Sequence, residues 1–304
     1  MAPSRLLTAG AALTACLIWG AWFPITRLGL TTGAIQPIDM VVLRFSAGAI
    51  VFLPIVLKHG LKAGKAGWGG TGLILATLSG PFALFVGLGA SHAPAAHAAI
   101  FIPGTFPAIV FVLGLLLFKD PPTLRRWLGL AAVMAGVALV GWAALRSGGG
   151  SLEGYLYFHD CAWMWAAYTV TVRISGLSAA HALAVTHVGA AAIYGPIWLL
   201  LGGGGLFDLP LAGLAFQVGY HGVLNGLVAM FLYNFAIQRL GASQAAVFAA
   251  LVPCFAALTA WPILGEPIGW EEGLALVAVA IGVVLISGAP PAGLRRPEGH
   301  RRQN

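Results

Sequence analysis

The sequence contains few charged residues: Asp, Glu, Lys and Arg make up 8% of its 304 residues, whereas 59% are hydrophobic and the mean hydropathy is +0.91. Soluble globular domains carry about 25% charged residues, so this composition excludes a soluble globular protein. A membrane-spanning helix needs about 20 apolar residues, and the chain has room for about ten. The composition therefore predicts a multi-pass membrane protein without a large soluble domain.

Cysteines and catalytic motifs are also scarce. Cys16, Cys161 and Cys254 lie in apolar stretches without CxxC spacing, which argues against a disulfide framework or a structural zinc site. Neither HExxH nor GxSxG occurs, and His92 and His97 stand five residues apart, on different faces of one helix. We therefore expect no metal, no cofactor and no enzymatic activity. The chain has 16 basic and 9 acidic residues, and in a membrane protein this excess of basic residues indicates cytoplasmic loops rather than nucleic-acid binding.

Ten apolar runs, bounded by charged residues, Gly or Pro, predict ten transmembrane helices, which we number spans 1 to 10. They cover residues 6–27, 38–57, 69–91, 94–118, 125–145, 154–174, 179–201, 211–236, 242–264 and 269–288. If the N-terminus is cytoplasmic, 13 of the 16 basic residues fall on cytoplasmic segments. The positive-inside rule therefore predicts that both termini are cytoplasmic, with 291–304 as a basic tail.

The chain repeats itself at an offset of 146 residues, and spans 2 and 7 align at an offset of 142. Aligned residues include Trp19 with Trp165, Trp22 with Tyr168, Arg27 with Arg173, Gly80 with Gly226, and Asp120-Pro121 with Glu266-Pro267. Each unit has five helices, an odd number, so the second unit enters the membrane from the opposite side. The pattern predicts an all-α membrane protein made of two inverted five-helix repeats, residues 1–146 and 147–290.

Inverted repeats are typical of transporters, because two equivalent halves can close a central site from either side in turn. Alternating-access transport of a small molecule across a lipid bilayer is therefore the leading hypothesis. A channel is a weaker alternative, since no filter motif or ring of like charges occurs. A membrane enzyme would lack a visible catalytic group. The sequence does not decide the oligomeric state, and a monomer is compatible with it.

Aromatic residues within spans 1, 3 and 6 are candidates for binding the apolar part of a substrate by stacking. These residues are Trp19, Phe82, Trp163, Trp165 and Tyr168. The alternative for each is ordinary packing, since aromatic stripes at helical spacing are common in helix cores.

Uncharged polar residues at membrane depth are candidates for binding its polar end, although each could instead hydrogen-bond a neighbouring helix. These residues are Ser79, His97, His221, Asn225 and Gln244.

Three further predictions concern charge and bending. Asp160, near the predicted outer face, is the candidate for a titrating group. The repeat-related Pro107 and Pro253 are hinge candidates, with a static kink as the alternative. Arg44 is interpreted as reaching outward or forming a structural pair, so no basic residue is expected deep in the bundle. This disfavours phosphorylated substrates, whose dianionic groups require Lys or Arg.

Several short motifs resemble the ten-helix branch of the drug/metabolite transporter superfamily, the EamA-type exporters. They are Trp19-Gly20, Phe23-Pro24, Arg44-Phe45, Asp120-Pro121 and Glu266-Pro267, with Lys119 as a minor departure. The resemblance implies a bacterial inner-membrane exporter of small metabolites, with spans 1, 3, 4, 6, 8 and 9 around a cavity and spans 5 and 10 peripheral. Within that branch the chain is most similar to amino-acid exporters, the aromatic amino-acid exporter among them. The alternative is a multidrug exporter of flat organic cations such as methyl viologen, for which only Asp160 could supply a carboxylate.

Overall fold

The computed structural model describes residues 5–118, 123–147, 150–203, 205–240, 248 and 251–287. Within these ranges the chain is helical and contains no strand. The first α-helices are α1 (Arg5–Thr31), α2 (Asp39–His59), α3 (Gly67–Ala76), α4 (Gly80–His92), α5 (Ala95–Ala99), α6 (Thr105–Phe118) and α7 (Leu124–Ser147). They are followed by α8 (Leu152–Ser175), α9 (Ala179–Leu200), α10 (Leu211–Gln217), α11 (Ala229–Leu240), α12 (Val252–Leu264) and α13 (Trp270–Ser287).

Six segments of the described chain are long and apolar enough to cross a membrane. They are Leu6–Thr31, Asp39–His59, Gly64–His92, Ala95–Leu117, Ala179–Leu200 and Leu211–Tyr233. They coincide with predicted spans 1, 2, 3, 4, 7 and 8, and α12 is a shorter apolar helix. The molecule is thus a helical membrane protein, while the arrangement of ten spans in two inverted repeats stays a prediction.

Span 3 is interrupted, and the prediction of a continuous helix over 69–91 is wrong at this point. The helix α3 ends at Ala76 and α4 begins at Gly80, with Ser79 in a non-helical conformation (φ −133°, ψ −132°). The cause is Pro81 in the first turn of α4, because a proline lacks the N–H that would bond the carbonyl of Thr77 in a continuous helix, and its ring clashes with that carbonyl.

Spans 4 and 8 each contain a π-helical segment, at Ile100–Gly104 and Val218–Val228. The first contains Pro103, which cannot donate a backbone hydrogen bond. Wide π turns alter which side chains face a neighbour and occur frequently at functional sites. Both segments contribute residues to the central cavity described below.

Glycines bring several helix pairs into close backbone contact. A Cβ on Gly129 of α7 would lie 2.8 Å from the carbonyl oxygen of Gly282 in α13, so these two helices pack directly together. A Cβ on Gly222 would lie 2.9 Å from the carbonyl oxygen of Leu43, and one on Gly226 would lie 3.2 Å from that of Arg44. The second π-helical segment is therefore seated directly on α2.

Candidate functional site

A central cavity of about 790 Å³ lies between the helices. Spans 1, 3, 4, 6, 8 and 9 line it, as the resemblance implies, but so do residues of spans 2 and 7. Arg126 of α7 and Val283 and Ile286 of α13 also contribute, so the expectation that spans 5 and 10 stay peripheral is wrong at this end of the cavity. The cavity falls within the usual range of small-molecule sites, about 300–1,000 Å³.

Repeat-related aromatic residues form two walls of this cavity. One face of α1 presents Trp19 and Trp22, and the corresponding face of α8 presents Trp165 and Tyr168. The Trp19 ring lies 4.9 Å from that of Tyr233, between ring centroids. Trp165 stacks on Phe106 of α6, with 4.5 Å between centroids and 19° between planes. These contacts fix the rings in place, so the walls are preformed.

Five of the predicted substrate residues line the cavity: Trp19, Phe82, Trp165, Tyr168 and Asn225. Asn225 lies on the second π-helical segment and is 1% exposed. Both atoms of its amide group are buried without a hydrogen-bond partner. Because such a group costs about 1–3 kcal/mol when left unsatisfied, Asn225 is a strong candidate for contacting a ligand.

Trp163 and Asp160 do not line the cavity. Trp163 is 43% exposed, and its indole N–H donates to Nε2 of His159 at 2.9 Å. Two residues along an α-helix differ by about 200° in direction, so Trp163 faces away from the wall that Trp165 joins. Asp160 is exposed on α8 as well. The substrate contact expected of Trp163, and a cavity position for Asp160, do not fit this geometry.

Ser79, His97 and His221 are buried, and none of them lines the cavity. The Ser79 hydroxyl donates to the carbonyl oxygen of Leu75, within its own span. His221 accepts a hydrogen bond from the Trp22 indole at Nδ1, 2.9 Å away. These side chains already serve local structure, and His221 positions a wall residue.

The remaining predicted residues are Gln244 and the two hinge candidates, Pro107 and Pro253. Gln244 lies outside the described residues, and the structure describes Pro107 only as part of the α6 backbone. Pro253 lies in the first turn of α12, where a proline interrupts no hydrogen bond of the helix. A hinge at Pro253 therefore has no support from a mid-helix kink in the described chain.

Arg44 is the residue that the sequence analysis missed. It lines the cavity, and its guanidinium carbon lies 4.5 Å from the ring centroid of Trp22 and 5.4 Å from that of Phe82. The expectation that it reaches outward is wrong, because its stretch of α2 is packed against the π-helical segment at Gly226. The available signal was a single charge within an apolar span, which marks a functional candidate by the same rule that selected Asn225.

The charge of the cavity lining is one-sided. Arg44, Arg126 and Arg173 line the cavity, and among the described residues no Asp or Glu does. Arg126 lies in the first turn of α7 and Arg173 in the last turn of α8, near one end of the bundle. Arg44, which has no carboxylate partner among the described residues, therefore places a positive charge in a low-dielectric part of the cavity.

Ion pairs tie together the opposite end of the bundle. Nε of Arg27 lies 2.7 Å from Oε1 of Glu266, and the guanidinium donates to the carbonyl oxygens of Ala90, at 2.8 Å, and Ala93. Oε2 of Glu266 accepts a hydrogen bond of 3.2 Å from the backbone of Ala95. These contacts join α1, the α4–α5 junction and the loop that precedes α13. Since Val283 and Ile286 line the cavity near the other end of α13, the ion pair lies at the far end.

His97 belongs to this far-end cluster. Its Nδ1 lies 2.7 Å from the Tyr155 hydroxyl oxygen, and its Nε2 lies 3.6 Å from Oε1 of Glu272. Within the described chain, no group of three or more His, Cys, Asp and Glu side chains could hold a metal ion. The Arg27–Glu266 ion pair and the hydrogen bonds around it hold the cluster together.

Comparison with known proteins gives three findings. The model of the EamA-like transporter family matches residues 6–142 and again residues 152–288. The uncharacterized inner membrane transporter YedA of Escherichia coli K12 is 26% identical over 287 residues, covering 91% of this chain and 90% of YedA, and the same values hold for YedA of strain O157:H7. A crystal structure with 19% identity superposes with a TM-score of 0.60, covering 93% of this chain and 96% of the other. The last likeness concerns the fold alone.

Proposed function

Because this chain belongs to the EamA-like transporter family, we propose that it is an alternating-access exporter of small metabolites, with amino acids, aromatic ones included, as its substrate class. It acts in a bacterial inner membrane with both termini in the cytoplasm. The observation that carries the proposal is the central cavity, where preformed aromatic walls surround the unsatisfied amide of Asn225. Such a site fits a molecule with a flat apolar body and a polar end.

Two parts of the site bind two parts of the substrate, one by aromatic stacking and the other by hydrogen bonding. The rings of Trp19 and Trp165 receive the apolar side chain, since stacked or edge-on ring pairs add about 0.5–1.5 kcal/mol beyond the burial of area. The amide of Asn225 receives the polar end, and a substrate that satisfies it removes the cost of its burial.

The two ends of the bundle support alternating access. Arg27 and Arg173 are counterparts at the offset of 146, as an inverted repeat requires of residues at opposite membrane faces. Arg27 lies in the ion-pair cluster at one end, and Arg173 lines the cavity near the other. With cytoplasmic termini, the ion-pair cluster is outside and the cavity faces inward. The structure would then represent the state that loads substrate for export.

Transport of flat organic cations is the alternative within the same class. The aromatic walls suit such cations. The guanidinium of Arg44 repels them, however, and the carboxylate of Asp160 lies outside the cavity. The balance of charge therefore favours the amino-acid proposal.

Counterflow in proteoliposomes tests the proposal. Vesicles are loaded in turn with unlabelled phenylalanine, tryptophan, threonine or methyl viologen, and uptake of the same labelled compound is followed. We expect saturable exchange of amino acids by the wild type. Trp165→Ala should reduce it by about tenfold or more, because it removes a stacked cavity wall.

Trp163→Ala is the matched control, since it removes the same side chain two residues away but outside the cavity. It should exchange amino acids at the wild-type rate. Exchange of the dication alone would replace the amino-acid proposal with cation efflux. Flux without saturation would indicate a channel, and a chemically altered substrate would indicate an enzyme.

A further inference from the structure

Three aromatic rings surround the guanidinium group of Arg44. Its carbon Cζ lies 4.5 Å from the ring centroid of Trp22, 5.4 Å from that of Phe82 and 5.9 Å from that of Phe45. All three rings line the same cavity. Ring faces stabilise the positive charge but leave the N–H groups, which point outward in the guanidinium plane, available for hydrogen bonds. The three rings thus hold the guanidinium group in place without accepting hydrogen bonds from its N–H groups.

One of these nitrogens has no acceptor. Nη1 of Arg44 is buried, and the described residues provide no hydrogen-bond partner for it. Arg44 forms no ion pair with a carboxylate of the described residues, because Glu266 lies against Arg27 and Glu272 against His97. A buried cation without a partner is strongly disfavoured, whereas a bidentate carboxylate would satisfy both its charge and its geometry.

The groups near Arg44 also define which part of a ligand it meets. The Arg44 carbonyl lies against Gly226, the residue after Asn225, and both Arg44 and Asn225 line the cavity, so the two residues are neighbours in its wall. The described lining contains three arginines and no acidic side chain that could bind an ammonium group as an ion pair. Within the described lining, Arg44 therefore provides for an anionic group, and no acidic side chain there provides for a cationic one.

We propose that Arg44 binds the carboxylate of the transported molecule, and that the cavity selects flat organic carboxylates, with or without an amino group, over amines and other cations. The inference rests on the proposed function, because it takes the cavity as the transport site. It goes further by assigning recognition to one group of the substrate. A carboxylate that lacks the amino group altogether is then a ligand of the same site.

Competition for phenylalanine exchange separates the two groups of the substrate. Labelled phenylalanine counterflow is measured with 3-phenylpropanoate, which lacks the amino group, or with phenethylamine, which lacks the carboxylate. We expect 3-phenylpropanoate to compete within about tenfold of unlabelled phenylalanine, and phenethylamine to be at least about 100-fold weaker. Equal or stronger competition by phenethylamine would overturn the proposal.

Variants of Arg44 test the residue itself. Arg44→Gln should raise the half-saturating concentration of phenylalanine by about 10- to 100-fold, the usual effect of losing a hydrogen bond to a charged group. Arg44→Lys keeps the charge but loses the planar fork, so it should fall between Arg44→Gln and the wild type. Arg146→Gln is the control, because Arg146 lies near Trp142 on the exposed face of α7, outside the cavity. Wild-type exchange by Arg44→Gln would overturn the assignment of Arg44 while leaving the amino-acid transport proposal intact.

A binding measurement decides the inference when transport does not. If the wild type exchanges no amino acid, the proposed function fails, and the thermal unfolding midpoint in detergent then tests the cavity alone. We expect the midpoint of the wild type to rise with 3-phenylpropanoate and to stay unchanged with phenethylamine. This comparison needs no variant, so it holds even if Arg44→Gln does not fold. Stabilisation by the amine alone would overturn the inference.

Discussion

The cavity walls supplied by the two halves of the sequence can be compared position by position, because the repeat offset pairs their residues. The aromatic positions agree: Trp19 corresponds to Trp165 and Trp22 to Tyr168, and all four line the cavity. Rings in corresponding places give the two halves walls of similar shape. That similarity is what an exchange of conformations between the halves requires.

The polar positions differ between the halves. At the offset of 142, Arg44 corresponds to Thr186, and at 146 Asn225 corresponds to Ser79. Thr186 and Ser79 each donate their hydroxyl to a carbonyl oxygen of the chain four residues earlier. Arg44 and Asn225 instead keep buried groups without a partner. The symmetric rings thus supply a wall for the apolar body, and one polar residue from each half orients the substrate.

Removing one ring of an aromatic pair should have the largest effect on stability. Trp22→Ala deletes a side chain that is 4% exposed and leaves His221, whose Nε2 already lacks a partner, without its hydrogen bond at Nδ1. Large-to-small changes of buried aromatics cost about 3–5 kcal/mol. We expect a marked fall in the thermal unfolding midpoint of the purified protein.

An exposed tryptophan provides the control for Trp22→Ala. Trp68→Ala removes the same side chain where it is 66% exposed, and should leave the midpoint nearly unchanged. If both variants lost stability equally, burial of the Trp22 ring could not explain the loss. The role of Trp22 as a fixed support for Arg44 would then be removed.

An intermediate effect is expected at Arg27, the counterpart of Arg173, where the ion pair with Glu266 can be weakened. Glu266→Gln weakens the pair with Arg27, whose side chains are 21% and 25% exposed. Partly exposed ion pairs contribute up to about 1 kcal/mol, so the far end should open about fivefold more often. The rate at which Ala96→Cys, in a pocket beside Glu266, reacts with an impermeant maleimide measures this opening.

Glu271→Gln provides the matched control for charge. It makes the same chemical change in the first turn of α13, while the described ion pairs use Glu266 and Glu272 instead. Labelling of Ala96→Cys should then stay at its starting rate. A rate that did not respond to Glu266→Gln would show that this ion pair does not hold the far end closed.

Spacing and repetition were sufficient to predict the aromatic walls. The i, i+3 spacing of Trp19 and Trp22 places both on one face of α1, and the repeat transfers that face to Trp165 and Tyr168. Aromatic density alone did not show that Trp163 points elsewhere, because the direction of a face depends on which helices pack beside it. The same limit explains the break before α4, where Pro81 was visible in the sequence but its effect on the path of span 3 was not.

Arg44 was harder to interpret from the sequence than the aromatic residues. Counting basic residues on each side of the membrane assigned Arg44 to the outer side, together with Arg27 and Arg146, and it was interpreted as reaching outward or forming a structural pair. Its actual position follows from the contact of α2 with Gly222 and Gly226, which joins residues about 180 positions apart. Such a contact depends on tertiary packing and leaves no local pattern.

The smallest effect is expected at Thr186, the counterpart of Arg44. Thr186→Val keeps the shape of the side chain and its β-branching, and removes a hydroxyl that donates to the carbonyl oxygen of Ala182 at 2.8 Å. That carbonyl also belongs to the helix backbone, so the change should alter phenylalanine exchange by less than about twofold. If exchange fell as far as in Arg44→Gln, Thr186 would share polar recognition with its counterpart Arg44. A small effect would keep it with Arg44 and Asn225, and the bound substrate would then have one orientation relative to the repeat.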